Sequence, residues 1–223
     1  PTYIETLNQQ GQIPIQSFSF YLTREASSEG SALVFGGSDS QYYEGSITYF
    51  PVIDQTYYVI KLDNLNVKGK SIKVGKGIID SGTSLIVGPA SIIDEVRILI
   101  GVVKSDCSNL SSLPNVIFTF SGKQFVLTAN DYVLQIPNGN KTACKEGFAS
   151  MDLPWTDTII VGDTFMKAYY TEFDQTKQIY NTNNHWVDGI PPNDYMDVIN
   201  LSNAKYWIDN FKTYIKIVIN PKE

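Results

Sequence analysis

The sequence has very little of the chemistry that metal and nucleic-acid sites require. Its 223 residues include one histidine, His185, and two distant cysteines, so no set of metal ligands can be assembled. The 17 lysines and arginines are scattered and are outnumbered by 23 acidic residues, which gives a net charge of −6. A surface that neutralises phosphates needs clustered basic side chains. We therefore predict no metal, no cofactor and no nucleic-acid partner.

Long apolar runs and an initiating methionine are also lacking. No stretch of about 18 apolar residues occurs, which predicts that no segment spans a membrane. The first residues, PTY, carry no signal sequence, as expected of a processed product or a fragment.

Five residues are candidates for covalent modification. Asn-x-Ser/Thr sequons occur at Asn109, Asn140 and Asn200, which predicts N-glycosylation and favours the secretory route. A bridge between Cys107 and Cys144 would close a loop of about 38 residues and stabilise the fold by about 4 kcal/mol. The spacing alone also fits two unrelated buried thiols.

Aromatic residues are plentiful. The 14 tyrosines and 11 phenylalanines, together with a hydrophobic content of 43%, predict a globular domain rich in strands. Alternating or clustered apolar residues predict strands at 13–22, 31–36, 45–53, 56–63, 77–81, 115–120, 124–128, 132–136, 158–161 and 168–173.

Two segments differ from this strand pattern. An apolar stripe at helical spacing predicts one short helix near 89–100, with Ser91 as its N-cap. The C-terminal region is rich in Asn and Asp, which predicts an extension over 185–223 after a domain over 1–184. Within the extension, the apolar spacing of 204–218 fits a helix, and its β-branched end fits a strand equally well.

The strongest candidate for catalysis is Asp80. Two isoleucines precede it, which would place its carboxylate at the end of a buried strand, where it needs hydrogen-bond partners. Gly82 allows a backbone N–H to approach the carboxylate, and the hydroxyls of Ser81 and Thr83 can donate to it. Asp-Ser-Gly also occurs where an ordinary strand ends and the aspartate caps a turn.

The segment IIDSGTSLIVGP at 78–89 resembles the second active-site motif of pepsin- and cathepsin D-type aspartic proteases. Other segments resemble the same family in the same order, namely LVFGGSD at 33–39 with YYEGS at 42–46, YYVI at 57–60, LPNVIF at 113–118, CKEGFASMD at 144–152 and IVGDTFMKAYYTEFD at 160–174. The resemblance covers residues 1 to about 180. It implies a mainly β fold, the C-terminal lobe of the bilobal pepsin-like acid protease.

The resemblance also implies roles for the residues of the active-site motif. Asp80 matches the second catalytic aspartate of the family. Ser81 matches the residue whose hydroxyl bonds to the motif of the other lobe. Thr83 matches the hydroxyl that bonds the outer carboxylate oxygen, and Gly82 completes the motif.

Residues outside the motif match the family as well. Tyr57, Met151 and Ile160 match side chains that line the substrate cleft, although each would also serve as plain core. Asp163 matches a position beside the active-site loop that is structural. The two cysteines match a pair that the family joins as a disulfide.

The chain departs from the family pattern in two places. The family has two active-site motifs and this sequence contains one, so an N-terminal lobe of about 150 residues is missing. The family also ends on an apolar strand, where this sequence becomes polar.

Peptide hydrolysis by this class needs two carboxylates that share one proton around a water. The resemblance therefore implies an aspartic endopeptidase half-molecule that is inactive alone. Paired with an N-terminal protease lobe, it would cleave polypeptide substrates at acidic pH in the secretory pathway, a lysosome or vacuole, or outside the cell. The alternatives are a catalytically inactive lobe that acts as a structural or binding subunit, and a pair of identical copies.

Overall fold

The computed structural model describes residues 2–24, 30–54, 57–139 and 141–174, and the backbone of 214–221. Strands dominate the described residues, as the sequence predicts. In chain order, the elements are α1 (Tyr3–Gln9), β1 (Ser17–Tyr21), β2 (Ala32–Phe35), β3 (Tyr43–Asp54), β4 (Val59–Val67), β5 (Lys70–Lys73), β6 (Lys76–Ile79), β7 (Ile86–Gly88), α2 (Ala90–Ile100), β8 (Val116–Phe120), β9 (Lys123–Leu127), α3 (Ala129–Tyr132), β10 (Val133–Asn138), β11 (Lys141–Glu146), β12 (Phe148–Ser150), β13 (Thr158–Val161), α4 (Asp163–Met166), β14 (Thr171–Asp174) and β15 (Tyr214–Pro221).

The chain divides into two compact units. Unit 1 consists of Pro1–Tyr21, Ala32–Ile60 and Tyr170–Glu223, and unit 2 of Leu22–Ser31 and Lys61–Tyr169. Each unit therefore draws on segments that are distant in sequence.

Unit 1 is built on an antiparallel sheet with the strand order β3-β15-β14-β1-β2. Its core is aromatic: the rings of Phe18 and Phe173 stack at 4.9 Å, and the ring of Tyr58 meets Phe173 edge-on at 4.4 Å. Helix α1 precedes the sheet. Its N-terminus is a capping box, in which the Thr2 hydroxyl accepts from the Glu5 N–H and the Glu5 carboxylate accepts from the Thr2 N–H.

Strand β15 lies in the predicted C-terminal extension. Its backbone pairs with β14 on one side and with β3 on the other, both antiparallel. Of the two conformations that the sequence allowed within 204–218, the backbone of 214–221 adopts the strand. The boundary between 184 and 185 lies outside the described residues and stays a prediction.

Unit 2 contains the antiparallel strands β4, β5, β8 and β9 and a two-stranded ribbon of β10 and β11. The candidate site is carried by four neighbouring strands, in the order β12-β7-β13-β6, which form the four-stranded part of a sheet that continues into β4. The core of unit 2 is a cluster of phenylalanines at most 1% exposed, namely Phe118, Phe120, Phe125 and Phe165. The rings of Phe118 and Phe165 lie 5.3 Å apart, so strand β8 packs directly against α4.

Helix α2 is where the apolar stripe predicted it, but its predicted cap is wrong. The helix begins at Ala90, Pro89 is the N-cap, and no side chain caps the first turn. Ser91 lies within that turn, because the Pro89 carbonyl already accepts the first helical hydrogen bonds, from the Ile92 N–H at 2.9 Å and the Ile93 N–H at 3.0 Å.

A disulfide joins Cys107 to Cys144, with Cα atoms 5.2 Å apart, which confirms the predicted bridge. It ties the loop after α2 to strand β11. Among the described residues, no helix is long and apolar enough to cross a membrane. The same residues contain no group of three or more His, Cys, Asp or Glu side chains that could hold a metal ion.

Candidate active site

The candidate site is the loop 80–85, which connects β6 to β7. These two strands are consecutive in sequence but are not neighbours in the sheet, because β13 lies between them. Strand β13 runs parallel to β6 and antiparallel to β7. The loop must therefore cross the C-terminal end of β13, and this crossing sets the position of Asp80.

Two donors from the same loop hold the carboxylate of Asp80. The Gly82 N–H donates to Oδ1 at 2.9 Å, and the Thr83 hydroxyl donates to Oδ2 at 2.5 Å. Hydrogen bonds to an ionised acceptor are stronger than those between neutral groups. The loop thus brings Asp80, Gly82 and Thr83 together, while Ser81 lies exposed beside them, and the catalytic and supporting roles of these residues stay a prediction.

The backbone continues the sheet up to Asp80. Its N–H donates to the Val161 carbonyl at 3.1 Å, which extends the β6–β13 ladder by one step. Burial then changes abruptly: Ile78 and Ile79 are buried, Asp80 is partly exposed, and Gly82 is exposed. The carboxylate therefore stands at the boundary between core and solvent, with a rigid strand behind it.

The residues after β13 fit tightly against the loop. A Cβ atom added to Gly162 would lie 1.9 Å from the Thr83 carbonyl oxygen and 2.6 Å from that of Leu85. No side chain can occupy that space. The next two residues fasten the loop: the Asp163 N–H donates to the Thr83 carbonyl at 2.8 Å, and the Thr164 N–H donates to the Ser84 carbonyl at 3.0 Å.

The sequence reasoning gave no role to Gly162 or Thr164. Both occur in the IVGDTF segment that carries the family resemblance, and a glycine between a buried strand and a short helix was the available signal. Their partners in the loop are about 80 positions away, so no local pattern shows the contact.

Asp163 lies beside the loop and is partly buried. Burial raises the pKa of the Asp163 carboxyl above its ordinary value of 3.8, the Lys167 ammonium opposes the increase, and the negative charge of Asp80 adds to it. The site therefore contains a second carboxyl, whose pKa the negative charge of Asp80 helps to raise. The structural role expected for Asp163 stays a prediction.

Ile160 and Met151 occupy different parts of the four-stranded sheet. Ile160 pairs with Ile78 and Val87 across the sheet, so it lies in the middle strand on the face where the alternation from Ile78 also places Asp80. Met151 follows the end of β12, and its N–H donates to the Gly88 carbonyl at 2.9 Å. By this register, Met151 lies at the opposite end of the strands from Asp80.

The remaining predicted side chains lie elsewhere. Tyr57 belongs to unit 1 and is 48% exposed. Met151 is 53% exposed, so both side chains are available for contact with another molecule. Contact of Tyr57, Met151 and Ile160 with a substrate remains a prediction.

Of the three predicted glycosylation sites, only Asn109 lies within the described residues. Its side-chain amide donates to the Val102 carbonyl at 2.8 Å and accepts from the Lys104 N–H at 3.0 Å. Asn109 thus closes the loop after α2. Asn140 and Asn200 fall outside the residues that the structure describes.

Arg97 of helix α2 forms hydrogen bonds to strand β12. Its guanidinium donates to the Phe148 carbonyl at 2.9 Å and to the Ser150 hydroxyl at 2.8 Å. The same group forms ion pairs with Asp94 at 3.1 Å and with Glu146 at 2.7 Å. One side chain therefore joins α2, β12 and the end of β11.

Comparison with known proteins identifies the family of the chain. The family model for eukaryotic aspartyl protease matches residues 1–182. The chain is 38% identical over 185 residues to cathepsin D of Dictyostelium discoideum, an alignment that covers 78% of this chain and 48% of the relative. It is 39% identical over 189 residues to cathepsin D of Bos taurus (77% of this chain and 47% of the relative) and 37% identical over 183 residues to pepsin A of Sus scrofa (77% and 46%).

The chain spans about half the length of the curated relatives it matches. Its match to the family model extends over most of its own sequence and includes the loop that carries Asp80. The chain belongs to the eukaryotic aspartyl protease family.

Proposed function

We propose that this chain supplies Asp80 as one of the two catalytic carboxylates of an aspartic endopeptidase, and that an N-terminal lobe supplies the other. The observation that carries the proposal is the fixed, partly exposed carboxylate at the loop crossing, held by the Gly82 N–H and the Thr83 hydroxyl. The lobe could be part of the same longer polypeptide or a separate chain.

The chemistry follows from two carboxyl groups that share one proton around a water. The ionised carboxylate accepts a proton from the water, the water oxygen bonds to the peptide carbonyl carbon, and the protonated partner gives its proton to the carbonyl oxygen. The carboxyl that took the water's proton then gives it to the nitrogen, the C–N bond breaks, and the partner carboxylate takes a proton from one hydroxyl of the tetrahedral species, which leaves the acid product and restores the pair. Because each acid–base step is worth about 10²–10⁴-fold in rate, this chain alone should show no useful turnover.

The substrates we propose are polypeptides with bulky apolar residues at the cleaved bond, bound in part by Tyr57, Met151 and Ile160. Acidic pH favours a pair that shares one proton, which fits a lysosomal, vacuolar or extracellular setting reached by the secretory pathway. The Cys107–Cys144 disulfide supports an oxidising route. Glycans at the three sequons belong to the same proposal.

The second candidate is a catalytically inactive lobe that serves as a structural or binding subunit. One observation favours it: both carboxylate oxygens of Asp80 accept hydrogen bonds from their own loop, as they would in an aspartate that only caps a turn. The endopeptidase requires the Asp80 carboxylate to be accessible to a water and to a second carboxyl, and its partial exposure meets this requirement.

The test is to express the full chain together with an N-terminal lobe, such as that of the Dictyostelium discoideum relative, and to assay a quenched fluorescent peptide from pH 3 to pH 7. Asp80→Asn should reduce turnover by at least about 10²-fold. The matched control is Asp106→Asn, because Asp106 is exposed and an asparagine can still accept from the Ser108 N–H.

The outcomes separate the two candidates. Activity that appears only in the paired chains, disappears with Asp80→Asn and is blocked by a statine-type transition-state mimic supports the endopeptidase. Turnover that survives Asp80→Asn would remove Asp80 from catalysis. A stable pair without turnover at any pH would favour the binding subunit.

A further inference from the structure

We propose that Thr164 is a positioning residue for Asp80, acting through the loop residues Ser84 and Thr83. The proposal concerns the same site as the proposed function and rests on it for its kinetic consequences. Thr164 is completely buried. It lies about 80 residues after the loop in sequence, in the first turn of α4.

Thr164 gives two hydrogen bonds to one acceptor. Its N–H donates to the Ser84 carbonyl at 3.0 Å, and its hydroxyl donates to the same oxygen at 2.9 Å. A carbonyl oxygen has two lone pairs, so Thr164 occupies both acceptor positions. The peptide group after Ser84 is therefore fixed in direction as well as in place.

The hydrogen bonds to Ser84 also affect the Asp80 carboxylate, through Thr83. Thr83 precedes Ser84, and its own carbonyl accepts from the Asp163 N–H at 2.8 Å. Two successive peptide groups are thus fastened to α4. The Thr83 hydroxyl, which donates to Asp80 Oδ2, projects from the residue immediately before the first of these two peptide groups. Without the hold on Ser84, only the bond from the Asp163 N–H would keep the Thr83 backbone, and with it this hydroxyl, in position.

The conformation of Thr164 is itself held from the opposite side. A Cβ atom added to Gly147 would lie 3.0 Å from both Cγ2 and Oγ1 of Thr164, so the threonine side chain rests against the bare Gly147 backbone. That backbone is fixed in turn, because the Gly147 N–H donates to the Tyr132 carbonyl at 2.7 Å and the Gly147 carbonyl accepts from the Ile86 N–H at 2.9 Å. The hydroxyl has little freedom to turn elsewhere.

Core packing alone accounts for the methyl group of Thr164 but not for its hydroxyl. Valine has nearly the same shape and would fill the same space, and the Ser84 carbonyl would keep its bond from the Thr164 N–H. What the hydroxyl adds is the second bond to Ser84. We therefore assign the Thr164 hydroxyl the role of fixing the conformation of the loop at Ser84.

The experiment compares Thr164→Val, which removes the hydroxyl, with Thr164→Ser, which keeps it. The control is Thr119→Val, because the Thr119 hydroxyl bonds to Asn64 in the β4–β8 pair of the same unit. The first readout needs no activity: amide hydrogen exchange of Gly82, Thr83 and Ser84 in the full chain. The second is the split between kcat and KM in the paired enzyme.

We expect Thr164→Val to accelerate exchange in the loop by about tenfold relative to β8, which corresponds to the loss of one hydrogen bond. In the paired enzyme, kcat should fall by about tenfold while KM changes by less than about twofold, because the loop acts on the reacting groups and not on substrate binding. Thr164→Ser should restore both values, and Thr119→Val should change neither.

Three results would overturn the proposal. Exchange in the loop could be unchanged in Thr164→Val, or Thr164→Ser could fail to restore it. An unfolded Thr164→Val chain beside a folded Thr119→Val chain would also contradict it, since the hydroxyl would then stabilise the whole unit. If the wild-type pair shows no turnover, the proposed function fails. Amide hydrogen exchange in the loop then decides by itself whether Thr164 fixes the loop conformation.

Discussion

Replacement of Gly162 by alanine is the sharpest test of the close contact at the loop crossing. The new Cβ would lie 1.9 Å from the Thr83 carbonyl oxygen, whereas such contacts essentially never fall below 3.0 Å. The two backbones must therefore separate by at least about 1 Å. Both belong to main chain that is hydrogen-bonded on each side, so no flexible side chain can absorb the movement.

The expected cost has two parts. Overpacking in a well-packed region costs about 1–3 kcal/mol. The movement also lengthens the bonds from the Asp163 N–H to Thr83 and from the Thr164 N–H to Ser84, each worth about 0.5–1.5 kcal/mol. We expect Gly162→Ala to lower the free energy of unfolding by about 4 kcal/mol, a large part of the 5–15 kcal/mol that is typical of whole domains.

Urea unfolding of the full chain, followed by circular dichroism, measures this difference. The control is Gly69→Ala: Gly69 has φ +81°, no heavy atom lies within 4 Å of its added Cβ, and the cost is only the left-handed conformation, about 1–2 kcal/mol. A Gly162→Ala chain that unfolds no more easily than Gly69→Ala would show that the loop and β13 can separate freely, and the close-contact argument would be wrong.

Three further predictions concern stability. Replacing Cys107 and Cys144 by serine should lower the free energy of unfolding by about 4 kcal/mol, measured by urea unfolding, because the bridge closes a loop with a sequence separation of 37; equal stability of the two chains would contradict this. Because burial raises the pKa of Asp163, the folded chain favours the neutral form of this carboxyl. The contribution of the neutral form to the free energy of unfolding is complete below the ordinary pKa of 3.8 and is lost as the pH rises through the pKa of the folded chain. Asp163→Asn should therefore match the wild type near pH 3 and become the more stable of the two toward pH 7, measured by unfolding across that range; a constant difference would refute the assignment. Arg97→Ala should lower the free energy of unfolding by about 2 kcal/mol, because Arg97 makes charged hydrogen bonds to two groups of β12. The control is Lys70→Ala, which removes an exposed ion pair and should cost less than about 1 kcal/mol in the same assay.

The sequence predicted the elements whose own residues determine them. Strand β8 alternates buried and partly exposed residues, and helix α2 buries the apolar stripe that predicted it. The disulfide followed from the family resemblance and is present. For β8 and α2 the signal is a repeat within a dozen residues, which is the range over which periodicity can be recognised.

Short elements were missed because they have no period to recognise. Strands β7 and β12 contain three residues each and exist only because they pair with one another and because β7 also pairs with β13. Helix α1 was also missed, although its capping box, Thr2 followed by Glu5, is a sequence signal that could have revealed it. For β7 and β12 the information lies in the partner strand and not in their own three residues.

The acceptor capacity of the Asp80 carboxylate shows why the loop needs support from outside itself. An ionised carboxylate offers about four acceptor positions, and the Gly82 N–H and Thr83 hydroxyl fill one on each oxygen. The remaining positions can accept from a water or from a second acid only if the first two donors keep their directions. A six-residue loop cannot ensure this alone, because its backbone crosses from one strand to another without regular hydrogen bonds of its own. Gly162 leaves room for the loop because it has no side chain, and the Asp163 and Thr164 N–H groups donate to carbonyl groups of the loop. The direction of the free acceptor positions on Asp80 is therefore set by a segment about 80 residues away, so substitutions at 162–164 should change the orientation of Asp80 and, on the proposed function, the rate of the paired enzyme.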